Sequence, residues 1–327
     1  MSPLPRLSEP RYPQLAAHAP LLRRAVDEWQ VGLEADDALV IRGGSYGAVL
    51  ALLDGKHPLE AIRQQARRAG LGERQLRTTL AALSAAGLLT GGGAAPSAAR
   101  RTLAESRVRL IGAGRLGSRI AAGLDAAAVS ELHIFDDAAP DSELYPLAGA
   151  QGTRAEAACS LLQRSPTRVR SPLNHWAKPD AQPINLTIIA AETPEVDRVL
   201  TDHFLRHDQP HLLLRSLGRS VSVGPLVLPG QTSCVRCADL HRCDADPAWP
   251  NVLAQLTQHP LPLEPALVTW AAQTAVVQAL AYLSGTNPEC SGATLELNDR
   301  DYLVRWRSWP SHAGCGCGWT APTEWGS

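Results

Sequence analysis

The first apolar pattern in the chain is an alternating one. Residues 29–33 alternate between apolar and polar, a polar turn follows at 34–37, and residues 38–41 are apolar. This order predicts a β-hairpin. Residues 1–25 are rich in proline and are predicted to be irregular, with a helical tendency after Pro20.

Three short helices are predicted next, because apolar residues now recur at intervals of three and four. The first spans about 45–53, the second begins near Pro58, and the third spans about 73–86, where Gly87 ends it. A short strand is predicted at 88–90. The order of these elements predicts a winged-helix-like domain at 1–90, with its core at about 28–90.

A winged-helix-like domain often binds DNA, but the third helix argues against DNA here. It carries Arg74 and Arg77 without a continuous basic stripe. A peptide or protein ligand is therefore favoured over nucleic acid. A packing appendage with no ligand of its own is the alternative.

A change in composition separates the next domain. Residues 91–105, which begin GGGAAPSAA, predict a flexible linker. A buried strand at 108–111 then runs directly into a glycine-rich turn and a helix that reaches about Leu124. The pattern G-x-G-x-x-G between a strand and a helix predicts a Rossmann-like α/β domain at 106–327.

The glycine-rich turn is a candidate nucleotide site. Its glycines allow phosphate to approach closely, and the helix N-terminus that follows favours an anion. The next strand, 132–135, ends at an aspartate, where ribose hydroxyls are usually bound. The candidate nucleotide-binding residues are Gly112, Gly114, Arg115, Gly117 and Asp136.

The rest of this domain contains further strands and one long helix. Strands of the same sheet are predicted at 212–216 and 221–227, and a hairpin at 294–297 and 302–306. The helix at 265–282 is apolar along most of its length. Residues 246–250, with the sequence DPAWP, predict either a packed loop or a patch that docks a partner.

Bulk composition limits the partners and the compartment. The chain has 327 residues, enough for two domains, and a formal net charge of −1. That balance gives no general electrostatic reason to expect nucleic acid or a membrane surface as a partner. The N-terminus lacks the apolar core of a signal peptide, and no uninterrupted apolar stretch is long enough for a membrane span. We therefore expect a cytoplasmic protein.

Two pairs of cysteines predict a metal site. Cys234 and Cys237 are separated by two residues, and Cys315 and Cys317 by one. In a reducing compartment such pairs indicate metal binding rather than disulfides, and four thiolates suit a structural zinc ion. A redox role for the second pair is the alternative. Nearby competitors as ligands, ranked below the four cysteines, are His241, Cys243 and His312.

These features together resemble the E1-like adenylating superfamily that includes ThiF and MoeB. Within it, the chain is most similar to the ThiF-like proteins of gene clusters for azole-modified peptides, including bacteriocins. Those proteins are described as cyclodehydratase partners or leader-peptide-binding proteins. The resemblance covers nearly the whole chain, and its most specific segments are 112–117, 224–230, 234–241, 246–250 and 307–317.

The resemblance also implies roles for residues and partners. It implies that the N-terminal domain binds the leader of a ribosomal precursor peptide, with Leu39, Ile41, Leu76 and Leu80 as the candidate contacts. It further implies that the second domain carries zinc and docks a YcaO-type cyclodehydratase, and that the long helix contributes to a homodimer.

Adenylating relatives need ATP and magnesium, and this chain departs from their pattern. Glu192 stands where an aspartate is expected, and Arg154 stands near the position of a lysine. Residues 141–146 lack an expected arginine. These differences predict lost or weak adenylation, with Glu192 and Arg154 as catalytic candidates if the activity persists. A nicotinamide oxidoreductase, suggested by the turn alone, is disfavoured by the cysteine pairs.

Overall fold

The computed structural model describes residues 10–33, 38–91, 98–146, 152–162, 167–172, 175–177 and 182–318. The chain divides into two compact units, Met1–Pro96 and Ser97–Ser327. They are called the N-terminal unit and the C-terminal unit below.

The N-terminal unit combines two small antiparallel sheets with three helices. One sheet has the strand order β2-β3-β4, and the other pairs β1 with β5. The strands are β1 (Pro13–Leu15), β2 (Leu21–Ala25), β3 (Glu28–Val31), β4 (Leu39–Arg42) and β5 (Leu89–Gly91). The helices are α1 (Tyr46–Leu50), α2 (Leu59–Arg68) and α3 (Glu73–Ala85). Apolar residues of all three helices form its core.

The hairpin, the three helices and the strand after them are confirmed, but the prediction for residues 21–25 is wrong. These residues form β2, which pairs antiparallel with β3, with Leu21 opposite Val31. The proline-rich composition of this region favoured an irregular segment, but pairing with a neighbouring strand overrides that local preference. The winged-helix assignment itself stays a prediction.

The predicted linker is also partly corrected. Residues 98–105 form helix α4 (Ala98–Glu105), which contacts the long helix of the C-terminal unit. Alanine and arginine are strong helix formers, so the stretch becomes helical once it has a surface to pack on. Residues 92–97 lie outside the described residues.

The C-terminal unit is built on an eight-stranded sheet with the order β13-β12-β11-β10-β9-β6-β7-β8. Strands β6 to β10 pair parallel with one another, and β11, β12 and β13 are added antiparallel beyond β10. The first six are β6 (Arg107–Ile111), β7 (Glu131–Phe135), β8 (Arg168–Arg170), β9 (Leu186–Ala190), β10 (His211–Ser216) and β11 (Ser220–Val227). The last two are β12 (Ala293–Asn298) and β13 (Val304–Ser308).

The order of the parallel strands reverses between β6 and β9. The chain runs from β6 outward through β7 and β8, and then returns to the other side of β6 as β9. In open α/β sheets, ligands bind beyond the carboxyl ends of the strands at such a reversal. The helices of this unit after α4 are α5 (Arg115–Ala126), α6 (Arg154–Leu161), α7 (Arg198–Arg206), α8 (Val235–Ala245), α9 (Trp249–Leu256) and α10 (Pro265–Leu283).

Helix α10 is long and apolar enough to cross a membrane, but half of it is buried inside the protein. It packs against α5 and against β10 and β11. The contact with α5 is close, because a Cβ at Gly123 would lie 2.7 Å from Cγ2 of Val276. These contacts make α10 a core helix of the C-terminal unit.

Candidate functional site

A cavity of about 670 Å³ lies at the carboxyl ends of β6, β7 and β9. Its volume is in the range of sites for small molecules. Residues predicted separately from the sequence meet there: the cavity is lined in part by Gly112, Gly114, Asp136, Arg154 and Glu192.

The glycine-rich turn has the geometry that its sequence predicts. Gly112 has a φ of +96°, and a Cβ on it would lie 2.6 Å from the carbonyl oxygen of Ala190. A Cβ on Gly117 would lie 1.9 Å from the carbonyl oxygen of Gly112. Both positions therefore require glycine: Gly112 lets the turn approach β9 closely, and Gly117 lets the start of α5 approach the turn.

Asp136 fixes the turn rather than projecting freely into the cavity. Its Oδ2 accepts a hydrogen bond from the backbone N–H of Ala113 at 2.7 Å, and its Oδ1 accepts one from Ala138 at 3.0 Å. Each oxygen keeps a further lone pair, so the carboxylate is still able to accept a hydroxyl group.

A buried tyrosine that sequence reasoning missed supports the same turn. The hydroxyl of Tyr145 donates to the carbonyl oxygen of Ala113 at 2.5 Å. Burial raises the pKa of Tyr145 to about 12, so the hydroxyl keeps its proton. No motif surrounds this residue in the sequence, and only the contact shows its role.

Arg154 is positioned by a local helix signal. Thr153 and Glu156 form a capping box at the start of α6: the Thr153 hydroxyl accepts from the Glu156 N–H, and the Glu156 carboxylate accepts from the Thr153 N–H. Arg154 is the first residue of that helix. Its Nη1 lies 3.5 Å from Oε2 of Glu192 and 3.9 Å from Oδ2 of Asp136.

Glu192 follows β9 and reaches the N-terminus of α5. Its Oε1 accepts a hydrogen bond from the backbone N–H of Arg115 at 2.7 Å. The side chain of Arg115 lies 3.3 Å from Glu143 and does not line the cavity. Of the predicted nucleotide-binding residues, Arg115 and Gly117 do not line the cavity, and the N–H of Arg115 is bonded to Glu192, which does.

An aromatic wall completes the cavity and was not predicted. Trp176 lines it, together with His175. The ring of Trp176 also contacts Phe204 and His203, with ring centroids 5.6 and 5.2 Å away. These contacts come from α7, so sequence spacing gave no sign of them.

The four predicted cysteines meet at a second site. Cys234 is the N-cap residue of α8 and Cys237 lies in its first turn, while a bridge between Gly230 and Gly318 brings the segment that follows Cys317 alongside. The sulfur atoms lie 4.0 Å apart for Cys234 and Cys237, 3.4 Å for Cys234 and Cys315, and 3.3 Å for Cys237 and Cys317.

Those distances fit a metal ion. Four sulfurs at about 2.3 Å from a tetrahedral ion lie about 3.8 Å from one another, and all four atoms here lie within 4.8 Å of one another. Burial raises the pKa of Cys234, and raises that of Cys315 to about 11. Burial acts the same way on Cys237, but its pKa is lowered because backbone N–H groups, first that of His312, hydrogen-bond its sulfur.

His241 and His312 form a separate cluster beside the cysteines, together with Asp244. Nδ1 of His312 accepts the N–H of Gly314 at 3.0 Å, and its Nε2 faces Oδ2 of Asp244 at 2.9 Å. Nε2 of His241 faces the carbonyl oxygen of Pro310 at 3.2 Å. These bonds hold the loop that carries Cys315 against α8. Cys243, the other competitor, lies outside both clusters.

The segment 246–250 joins α8 to the first turn of α9, and within it Trp249 is half-buried while the other four residues are exposed. Nε1 of Trp249 donates to Oδ1 of Asp239 at 3.1 Å, and the guanidinium of Arg242 lies 4.6 Å from the centre of the Trp249 ring. Asp239 also accepts two hydrogen bonds from Arg198, at 2.6 and 2.8 Å. Trp249 therefore packs against α8, and a docking role for the exposed residues beside it stays a prediction.

The four candidate peptide contacts divide into two pairs. Leu76 and Leu80 are 2% and 7% exposed and belong to the core of the N-terminal unit. Leu39 and Ile41 are half-buried on β4 and pack against that core. Strand β4 lies at an edge of its sheet, and among the described residues it pairs with β3 alone.

Solved structures share this fold over nearly the whole chain. E. coli MccB with ATP matches with a TM-score of 0.68 and 13% sequence identity, over 94% of this chain and 99% of MccB. The microcin C7 biosynthetic enzyme MccB in complex with N-formylated MccA matches with a TM-score of 0.67 and 14% identity, over 93% of this chain and 99% of that chain.

The heterocyclase TruD matches with a TM-score of 0.63 and 18% identity, over 94% of this chain and 43% of TruD. No protein-family model matches the sequence, and no curated protein matches it either. The resemblance predicted from the sequence, to ThiF-like proteins of modified-peptide biosynthesis, is thus confirmed at the level of the fold.

Proposed function

We propose that this protein binds the leader of a ribosomally made precursor peptide and presents it to a YcaO-type cyclodehydratase. The partner enzyme carries out the ATP-dependent ring closure on Cys, Ser or Thr. The observation that carries the proposal is that MccB, which shares the fold over 93% of this chain, is seen in complex with the peptide MccA. The shared fold with a heterocyclase supports the same chemistry.

The N-terminal unit offers a suitable edge for peptide capture. A peptide that adds as a strand needs a regular edge whose backbone groups are available. Strand β4 pairs with β3 in unbroken register from Leu39 to Arg42. The opposite edge, β2, has a register shift between Arg23 and Ala25, and such irregularities discourage strand addition. We therefore place the leader on β4.

The buried positions of Leu76 and Leu80 change which residues test this idea. A charge on either would disrupt the core, so loss of binding would not be informative. Val40 and Leu22 are a matched pair instead, since they lie on opposite edge strands and are 40% and 39% exposed. A charge at Val40 stays in water in the free protein but meets the added strand in the complex.

The test uses fluorescently labelled peptides made from the N-terminal halves of the short open reading frames next to the gene. We expect Val40→Asp to weaken leader binding at least about tenfold, measured by fluorescence anisotropy. Leu22→Asp should leave the affinity within about twofold. Equal affinities for the two variants would contradict leader capture on β4.

In the C-terminal unit we propose a structural zinc ion held by Cys234, Cys237, Cys315 and Cys317. Zinc accepts four thiolates tetrahedrally and has no redox demand, so a closed site of this kind stabilises the fold. When bound, the ion would fix the loop after β13 to the N-terminus of α8. The C-terminal unit would then offer the cyclodehydratase a rigid docking surface and raise the local concentration of the peptide at that enzyme.

The quaternary state is part of the same proposal. We place the protein in the cytoplasm as a homodimer, with α10 close to the interface. Light scattering coupled to size exclusion should give twice the mass of the chain at micromolar concentration. A monomer there would remove the dimer without affecting leader capture.

A second candidate function has one specific observation in its favour, namely that MccB is seen with ATP. The protein would then adenylate a peptide or small-protein C-terminus, using magnesium with Glu192 and Arg154. Carboxylate-dependent exchange of pyrophosphate into ATP, abolished by Glu192→Ala, is the expected signature. Absence of exchange with leader and core peptides would leave the delivery role as the function.

A further inference from the structure

The N-terminus of α5 is the place where a Rossmann-like turn binds phosphate. Backbone N–H groups there lack partners within the helix, and the helix dipole favours a negative charge. In this protein the carboxylate of Glu192 lies at that place. Its Oε1 accepts the N–H of Arg115, the first residue of α5, at 2.7 Å.

The carboxylate also fills the space above the glycine of the turn. A Cβ built on Gly114 would lie 2.2 Å from Oε1 and 2.7 Å from Oε2 of Glu192. Gly114 has a φ of −74°, which any residue adopts. A side chain at position 114 would therefore displace the carboxylate of Glu192 from the turn, whereas glycine leaves it room.

The charges of the cavity also disfavour the binding of a polyphosphate. Asp136, Asp137, Glu156 and Glu192 line it, against the guanidinium of Arg154. Arg154 already lies between two of these carboxylates, at 3.5 Å from Glu192 and 3.9 Å from Asp136. A triphosphate would bring several more negative charges into an acidic cavity whose arginine is engaged.

We propose that Glu192 determines ligand specificity by occupying the phosphate position, so that the glycine-rich turn rejects polyphosphates. The inference deepens the proposed function, on which it rests, because a protein that only delivers a peptide requires no ATP of its own. The residues present do not fit ATP while Glu192 lies on the turn. Removing its carboxylate leaves the N–H of Arg115 and the guanidinium of Arg154 for an external anion.

The opposite role for Glu192, as a magnesium ligand in an adenylating enzyme, predicts the opposite effect of mutation. If Glu192 held the metal, its removal would weaken the binding of Mg-ATP. If it occupies the phosphate position, its removal strengthens the binding of ATP, with magnesium or without it.

The experiment is calorimetric titration of ATP, with and without magnesium, into the full-length protein and three variants. We expect Glu192→Ala to bind ATP at least about tenfold more tightly than the unmodified protein. Glu192→Gln removes the charge but keeps an acceptor for Arg115, so its affinity should fall between the two. Glu143→Ala, which removes the other acidic contact of Arg115, should match the unmodified protein.

Weaker or unchanged ATP binding in Glu192→Ala would overturn the inference. Circular dichroism and metal content confirm the fold of each variant, and Glu192→Gln decides the sign if Glu192→Ala fails to fold. Leader binding is measured on the same samples. If Glu192→Ala does not bind ATP more tightly but leader binding is intact, only the role of Glu192 is refuted. Absence of leader binding in the unmodified protein refutes the proposed function.

Discussion

The glycine-rich turn and the cysteine cluster lie in the same unit and differ in how their polar groups are satisfied. The N–H groups of the turn find acceptors within the chain, at Asp136 and Glu192. The four thiols instead lie against one another. The first site thus supplies its own anion, whereas the second brings together four groups that could hold a cation. A sequence motif predicts which ligand a backbone turn is able to bind, but the side chains around the turn determine whether that ligand finds room.

The largest effect is expected at the cysteine cluster. Cys237→Ser should lose the metal and lower the free energy of unfolding by more than about 4 kcal/mol, because metal binding is coupled to folding. Metal analysis and urea unfolding measure both effects. Cys243→Ser is the matched control, since it lies on the same helix outside the cluster, and it should keep the metal. A stable, metal-free Cys237→Ser would show that the cluster does not depend on a cation.

An intermediate effect is expected at the turn. Gly114→Ala places a methyl group where the Glu192 carboxylate lies and should cost about 1–3 kcal/mol, because the carboxylate must give up its hydrogen bond from the Arg115 N–H. In a Glu192→Ala background the same change should cost at least about 1 kcal/mol less, because the carboxylate is gone. A double-mutant cycle from urea unfolding gives this coupling. Additive effects would mean that Glu192 does not lie on Gly114 in solution.

The smallest effect is expected at Tyr145. Tyr145→Phe removes the hydrogen bond to Ala113 and should cost about 1 kcal/mol. Burial raises the pKa of Tyr145 from 10.0 to about 12, so the folded protein holds this proton more tightly than the unfolded chain does. The contribution of the protonated Tyr145 hydroxyl to the free energy of unfolding is complete below pH 10 and is lost as the pH rises toward 12. The phenylalanine variant should lose less stability than the unmodified protein over that interval.

The elements were predictable where one local signal fixes them. The Gly112–Gly117 turn is such a case, because the strand before it, its glycines and the helix after it are contiguous in the sequence. The strand at 21–25 and the helix at 98–105 were not predictable, because each depends on the surface it packs against. Periodicity identified the apolar face of α3, but it does not tell whether Leu76 and Leu80 face a core or a partner.

The site shows the same limit. The sequence identified Gly114 and Glu192 separately, the first as a nucleotide-binding candidate and the second as a catalytic candidate. That the carboxylate folds back onto the turn depends on β9 lying directly beside β6, and the sequence pattern does not state that distance. Trp176 and Tyr145 contribute through contacts alone, so no spacing rule could identify them.

Helix α8 connects the cysteine cluster to a chromophore. It carries Cys237 at one end and Asp239 a half-turn later, and Asp239 accepts the indole N–H of Trp249. Movement of α8 after chelation would change the polarity around that indole. The ultraviolet emission of the protein, compared with that of Trp249→Phe, would then follow the occupancy of the cluster optically and in real time, without any added dye.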